Sequence, residues 1–255
     1  MKSLLLPPHW HHEAHASVAS TLLCCNAAAL APGDFLLVTA EEQTAGRGQR
    51  GTTWESQRGA NLTFTVGWRD VGVLPRNQFL ISEVCALAVA CTVEELLRDA
   101  GNGEAVSVKW PNDVYVGERK ICGMLIEHSL TGGRIDSSMA GIGININQTR
   151  FTGDAPNPVS LKQLTGLTYP RERVMESFVG HFMRGIEALQ AKQYERVEQD
   201  FAARLFRRTG WHNFRDAEGM FSGEFVAIAR NGILTLRKAD GTTHDYAFKE
   251  VNFCL

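Results

Sequence analysis

The spacing of apolar positions changes several times along this chain, and each change marks an element. Alanine, leucine and cysteine fill the stretch from Ser17 to Ala31, with Ser17 or Ser20 as N-cap and Pro32-Gly33-Asp34 as a stop, so a helix is predicted there. Phe35-Leu36-Leu37-Val38 is a continuous apolar run of strand length. Asn61 to Trp68 alternates and is rich in β-formers, so the segment between these two runs joins strand to strand. A long apolar helix is predicted from Asn77 to Ala100, where Gly101 is a natural stop.

Strands and tight turns follow. Ala105–Trp110, Val114–Val116, Ile121–Glu127 and Met139–Asn147 are separated by Gly117-Glu118 and Thr131-Gly132-Gly133, the pattern of an antiparallel meander. Gly153 to Pro158 is a loop, and Arg171 to about Arg204 is amphipathic, with Phe178, Phe182, Ile186 and Leu189 at helical spacing. Short strands then run over Phe221–Ala229, Ile233–Arg237 and His244–Val251, divided by Asn231-Gly232 and Asp240-Gly241 turns. The expected architecture is α+β: a mixed or antiparallel sheet packed by helices over residues 1–205, with a small β-barrel over 206–255.

Composition narrows the class without naming a chemistry. Of 255 residues, 44% are hydrophobic and 21% charged, ordinary for a globular protein, and a net charge of -2 gives no broad footprint for nucleic acid. The N-terminal apolar run is only three leucines before two prolines, too short for a signal peptide or a membrane span, so a cytoplasmic protein with no membrane partner is expected. The six cysteines show no C-x-x-C spacing and read as free thiols. His9, His11, His12 and His15 crowd an extended segment in which they alternate between faces. No cysteine or carboxylate cluster completes a metal site with them.

Candidate chemistry concentrates in Glu41–Trp54, EEQTAGRGQRGTTW. Gly46, Gly48 and Gly51 let the backbone turn tightly beside a ligand, and Arg47 and Arg50 add fixed positive charge, so the loop suits an anion. It formally matches G-x-G-x-x-G, but a dinucleotide fingerprint needs a helix after the last glycine, and here a strand follows. A kinase loop does join strands, yet V-A-I-K, H-R-D and D-F-G are missing, as is the G-K-[ST] of a P-loop. With no G-x-S-x-G nucleophile either, the chemistry left is transfer or ligation on phosphates, where positioning and charge neutralisation suffice. Lys109-Trp-Pro-Asn-Asp113 ends a strand and either forms a plain turn or presents Asn112 and Asp113 at a sheet edge where a carboxylate could hold magnesium. Lys120, opening Arg119-Lys-Ile-Cys-Gly-Met-Leu-Ile-Glu127, either caps a strand edge in water or points a mobile cation at a ligand.

With these stretches in order and Gly141-Ile-Gly-Ile-Asn-Ile-Asn147 after them, the chain resembles the biotin protein ligases. The motifs that carry the resemblance are G-R-G-x-R-G with a following tryptophan, K-W-P-N-D, R-K-x-x-G-x-L-x-E and G-x-G-I-N, strongest over Ser20 to Leu164. The C-terminal β segment fits the family's SH3-like cap. The resemblance implies a two-step reaction in which biotin attacks the α-phosphate of ATP to give biotinyl-5′-AMP, and a lysine of a biotin carboxyl carrier protein domain then displaces AMP. Mg2+ accompanies the nucleotide. Lipoate ligases and octanoyl transferases share the fold and are the competing reading.

Carried over residue by residue, Lys120 and Arg47 are the catalytic candidates, and Ser20, Thr21, Gln43, Gly46, Arg47, Gly48 and Lys120 bind biotin. Arg47, Gln49, Arg50, Asn112, Asp113 and Asn145 fall on the ATP and adenylate side, and Asp113 is the metal candidate. Two departures stand out. The family's D-S-T-N is Ala19-Ser20-Thr21-Leu22 here, and Gln49 stands where many members have a further arginine, implying a weaker grip on the adenylate. About fifteen residues precede the match, too few for the helix-turn-helix of the repressor members, so a monofunctional type without DNA binding is expected. The carrier domain would dock by strand pairing along an exposed sheet edge, and a homodimer through such an edge is left open.

Overall fold

The computed structural model describes residues 4–48, 52–70, 72–153, 155 and 157–254. In chain order the elements are β1 (Trp10–His15), α1 (Thr21–Cys24), β2 (Phe35–Ala40), β3 (Leu62–Arg69), α2 (Phe79–Asp99), β4 (Val106–Lys109), β5 (Asp113–Val116), β6 (Arg119–Thr131) and β7 (Arg134–Ile144). There follow α3 (Leu161–Thr165), α4 (Arg171–Gln190), α5 (Tyr194–Ala203) and five strands, β8 (His212–Asp216), β9 (Gly219–Ile228), β10 (Leu234–Lys238), β11 (Thr243–Tyr246) and β12 (Asn252–Phe253).

Seven strands form one mixed sheet in the order β1-β2-β3-β7-β6-β5-β4. Only β1 and β2 run parallel, and β4 to β7 are the antiparallel meander that the glycine-punctuated runs predict. The continuous apolar run of β2 is buried at every position because both of its faces are covered. Phe35 and Leu37 join the main core under the long helices, whereas Leu36 and Val38 pack on Cys25 and Ala27 on the opposite side. The aromatic stripe of α4 lies on β3, with Phe178 5.0 Å from Phe64 and Phe182 5.4 Å from Trp68. The second sheet is antiparallel, ordered β11-β10-β9-β8-β12. No helix among the described residues is long and apolar enough to cross a membrane.

Three expectations are corrected. The predicted helix over residues 17–31 shrinks to α1 and a single 3-10 turn at Ala27–Ala29, because the backbone of residues 18 and 19 pairs with the glycine-loop segment instead. Val18 N–H donates to the Glu42 carbonyl at 3.1 Å, and Thr44 and Ala45 donate back to Val18 and Ala19 at 2.9 Å. Tertiary pairing thus overrides local propensity. The helix from Arg171 is interrupted after Gln190, where Lys192 adopts a positive φ of 56° that no helix accommodates. Finally, β8 and β12 had no separate signal: β8 pairs with β9, and β12 pairs with β8 at the edge of that sheet.

Candidate active site

A cavity of about 290 Å³ opens where the glycine loop crosses the sheet. The two ends of this cavity are built from different strands. At the β2–β3 end, the Thr21 N–H and hydroxyl both donate to the Gln43 side-chain oxygen, at 2.8 and 3.0 Å, and the Thr65 hydroxyl donates to Thr21 at 2.9 Å. Ser20 and Thr21 are buried, and with Gln43 they line this end of the cavity. The chain of bonds fixes Gln43 before any ligand arrives, which is preorganisation of the kind a binding pocket needs.

At the β5–β6 end, the Lys120 ammonium sits 2.7 Å from Asp113 Oδ1, both side chains about 24% exposed. The Lys120 side chain reaches Asp113 by lying across Gly123, whose absent Cβ would come within 3.2 Å of the lysine Cε and Nζ. Asn112, buried beside it, donates its side-chain amide to the Met124 carbonyl. Lys109 faces the same space, donating to the Tyr115 hydroxyl at 3.2 Å and lying 5.4 Å from the Phe253 ring centroid. Burial holds the Lys109 pKa below the ordinary lysine value, with Asp113 pulling it back and Lys120 pushing it further down.

The loop forms a narrow hairpin over these groups. Gly48 N–H donates to the Thr52 carbonyl at 2.7 Å, and Trp54 N–H to the Gly46 carbonyl at 3.1 Å, so Arg47 and Gly48 project into the cavity from a pinned turn. Arg47 lies 3.9 Å from Glu127 and is half exposed. Trp54 lies flat on the sheet: a Cβ on Gly143 would fall 2.3 to 2.7 Å from its indole, and one on Gly123 3.0 Å. Lys120 Nζ is 5.9 Å from the indole centroid.

Of the residues singled out in the sequence, Ser20, Thr21, Gln43, Arg47, Gly48, Asn112, Asp113 and Lys120 share this one cavity. Gly46 and Asn145 do not line it. Gly46 packs behind the hairpin, where a Cβ would meet the Trp54 carbonyl oxygen at 2.7 Å. Asn145 is buried with its side-chain oxygen lacking a hydrogen-bond partner. Gln49 and Arg50 lie outside the described residues. Sequence reasoning missed Trp54, Lys109, Lys249, Asn252 and Phe253 as lining groups. The first two sit inside recognised motifs, while the last three carry no signal beyond turn composition.

The remaining clusters have local partners. His9 and His11 lie 3.4 and 3.2 Å from Asp34, and His12 bonds Thr39 at 2.9 Å. Among the described residues no group of three or more histidine, cysteine or acidic side chains is placed to hold a metal ion. The six cysteines are all free thiols.

Residues 30–147 match the model of the Biotin/lipoate A/B protein ligase family. The biotin--[acetyl-CoA-carboxylase] ligase of Paracoccus denitrificans is 31% identical over 226 residues, covering 83% of this chain and 89% of that one. The chain spans only 31 to 64% of the length of the bifunctional ligase/repressors BirA of Bacillus and of enteric bacteria that it also matches. Among solved structures, the Leishmania major biotin protein ligase in complex with biotinyl-5-AMP is 27% identical with a TM-score of 0.62, covering 94% of this chain and 99% of that one. The Aquifex aeolicus biotin protein ligase in complex with biotin and ATP has a TM-score of 0.74 at 23% identity, a likeness of fold over 95% of this chain. A glycine loop between strands, a lysine–aspartate pair across the sheet from it, and a relative matched over nearly its whole length agree, and the chain belongs to the biotin protein ligase family.

Proposed function

We propose that this chain joins biotin to ATP as biotinyl-5′-AMP and passes the biotinyl group to a lysine of a biotin carboxyl carrier protein domain. The observation that carries the reading is Lys120: a cation paired with Asp113 at 2.7 Å inside a cavity whose other end is the Thr21–Gln43 hydrogen-bond pair. A ureido ring held at that polar end puts a carboxylate tail towards Lys120.

In the first step a carboxylate oxygen of biotin forms a bond to the α-phosphorus of ATP, the bond to the β-phosphate oxygen breaks, and pyrophosphate leaves. Bringing two anions together is the main obstacle, so cations contribute more than a base. Lys120 neutralises the carboxylate and then the adenylate phosphate while keeping its own protons. Arg47 closes from the loop with the Gly46 and Gly48 backbone, and Gln49 and Arg50 are assigned to the adenylate phosphates by the family resemblance alone. Asn112, Asp113 and Asn145 serve the nucleotide side. Asp113 is the residue that would hold an Mg2+ accompanying ATP, and one carboxylate would suffice for an ion bound mainly through the nucleotide. That ion would offset the charge building on the leaving pyrophosphate. In the second step the acceptor amine attacks the acyl carbon of the mixed anhydride and AMP departs.

The test is ATP–pyrophosphate exchange run with biotin and with lipoate. Exchange with biotin is expected, and exchange with lipoate alone would assign the chain to the lipoate branch of the fold. Lys120→Ala should abolish exchange, since a charged hydrogen bond of about 1.5 to 3 kcal/mol that strengthens in the transition state is lost. Normal exchange in that variant would remove Lys120 from the chemistry.

A further inference from the structure

The tryptophan of Lys109-Trp-Pro-Asn-Asp113 borders the cavity at its β4–β5 side, but it is 3% exposed and its indole N–H is turned away to the C-terminal sheet, donating to the Gly232 carbonyl at 3.0 Å. That bond joins the β4–β5 turn to the β9–β10 turn of the C-terminal sheet. The same ring packs edge-on against Phe248 at 5.4 Å, and Phe248 lies 6.1 Å from Phe79 at the start of α2. Gly232 has a positive φ of 92°, and a Cβ there would come within 2.9 Å of Phe248 and 3.0 Å of Phe79, so the turn is seated as closely as a backbone allows. Next to it, the Arg230 carbonyl accepts the Phe79 N–H at 3.1 Å, and the Arg230 guanidinium reaches Glu198 and Glu195 of α5 at 2.6 and 3.1 Å.

The chain neighbours of this joint give it consequence. Asn112 and Asp113 follow Trp110 directly and line one wall of the cavity, while Lys249, Asn252 and Phe253 follow Phe248 and line the facing wall. The strand order puts this wall over β4 and β5, away from Thr21 and Gln43 beside β2 and β3. The two ends of the cavity therefore differ in what holds them. The Thr21–Gln43 end is closed within the first sheet alone, and the Asp113 end depends on how the second sheet is seated.

We propose that Trp110 is a positioning residue: its bond to Gly232 and its contact with Phe248 hold the C-terminal sheet as a fixed wall of the nucleotide end of the site, leaving the biotin end independent of it. The inference rests on the ligase reading. Removing the indole N–H while keeping an aromatic ring leaves the Gly232 carbonyl buried and unpaired, which releases the wall without removing the packing.

The experiment uses the full chain with Trp110→Phe, measuring exchange at varied ATP, biotin binding in the absence of nucleotide, and the rate of amide hydrogen exchange over residues 248–254. The expected result is a Michaelis constant for ATP raised about tenfold, biotin affinity within about twofold of wild type, and faster amide exchange confined to 248–254. In a folded variant, biotin affinity and exchange lost together would be the signature of a merely structural tryptophan. Either that outcome or an unchanged Michaelis constant for ATP overturns the proposal. If Trp110→Phe does not fold, Phe248→Leu, which loosens the same joint from the other side, decides by the same criteria. Failure of the ligase reading would show separately, as wild-type protein without biotin-dependent exchange.

Discussion

Gly143→Ala tests whether the seat of Trp54 on the sheet belongs to the working site. The added methyl would fall 2.3 Å from the indole Cε2, 2.4 Å from Nε1 and 2.7 Å from Cζ2, where an ordinary carbon contact is about 3.5 Å or more. One of the two groups must yield. Gly143 is held on both sides, opposite Thr63 of β3 and Gly123 of β6, so the backbone cannot retreat without unpairing the centre of a seven-stranded sheet. Trp54 instead hangs on a hairpin over the cavity, and the ring should lift, carrying the turn with Arg47 and Gly48. Overpacking of this kind costs about 1–3 kcal/mol. If the ring yields, that cost appears as a loss of about five- to a hundredfold in kcat/KM for pyrophosphate exchange. The melting temperature then stays near wild type. If the sheet yields, the same cost appears as a fall of about 2–12 °C in melting temperature. Wild-type exchange with an unchanged melting temperature would refute the reasoning, since neither group would have yielded.

Two further substitutions probe the scaffold. Glu83 of α2 is buried at 4% exposure, and its carboxyl is pushed up from 4.5 to about 8, first by burial and then by Glu198, against the pull of Arg230. The folded state then binds a proton that the unfolded state has released between about pH 4.5 and 8, so this carboxyl makes stability fall with pH across that window, by up to about 1.4 kcal/mol per unit. Glu83→Gln should flatten the dependence, and melting curves of the two proteins from pH 5 to 8 that stay parallel would disprove it. Gly185→Ala would bring a Cβ within 2.5 Å of Val84 Cγ1 where α4 crosses α2. Three Val84 atoms within 3.3 Å put the overpacking at about 2–3 kcal/mol; less about 1 kcal/mol of helix propensity gained, the net loss should be about 1–2 kcal/mol, a fall of roughly 2–8 °C in melting temperature. Exchange per folded molecule should be intact, and an unchanged melting temperature would contradict this packing.

Much of the architecture was legible because its signals are local. The runs of β2 and β3, the glycine turns of the meander and the Asn-Gly turn before β10 each specify their own element. What failed was decided at a distance. Residues 17–31 have helical composition, but the bonds from Val18 and Ala19 to residues 42–45 connect segments more than twenty positions apart, and no periodicity encodes that. The break near Lys192 was hidden for another reason. The apolar spacing continues through Val197 and Phe201, since both helices rest on the same core, and only the backbone angle separates them.

The candidate site divides along the same line. Arg47, Gly48, Asp113 and Lys120 lie in short motifs whose chemistry can be argued from residue type, Thr21 and Gln43 are reached only through the family resemblance, and all six meet in one cavity. Lys249, Asn252 and Phe253 enter it from the far end of the chain in a stretch with no motif at all. On the proposal above, they are held there by the bond from Trp110 to the Gly232 carbonyl, although sequence reasoning gives Trp110 no role beyond its place in K-W-P-N-D. The glycine loop identifies where an anion can sit, but Trp110 on the border of that seat is bonded to a partner 122 positions away in the chain. A motif of this kind brings the candidate groups into one cavity, and residues of the second sheet, invisible to the motif, supply part of that cavity's lining.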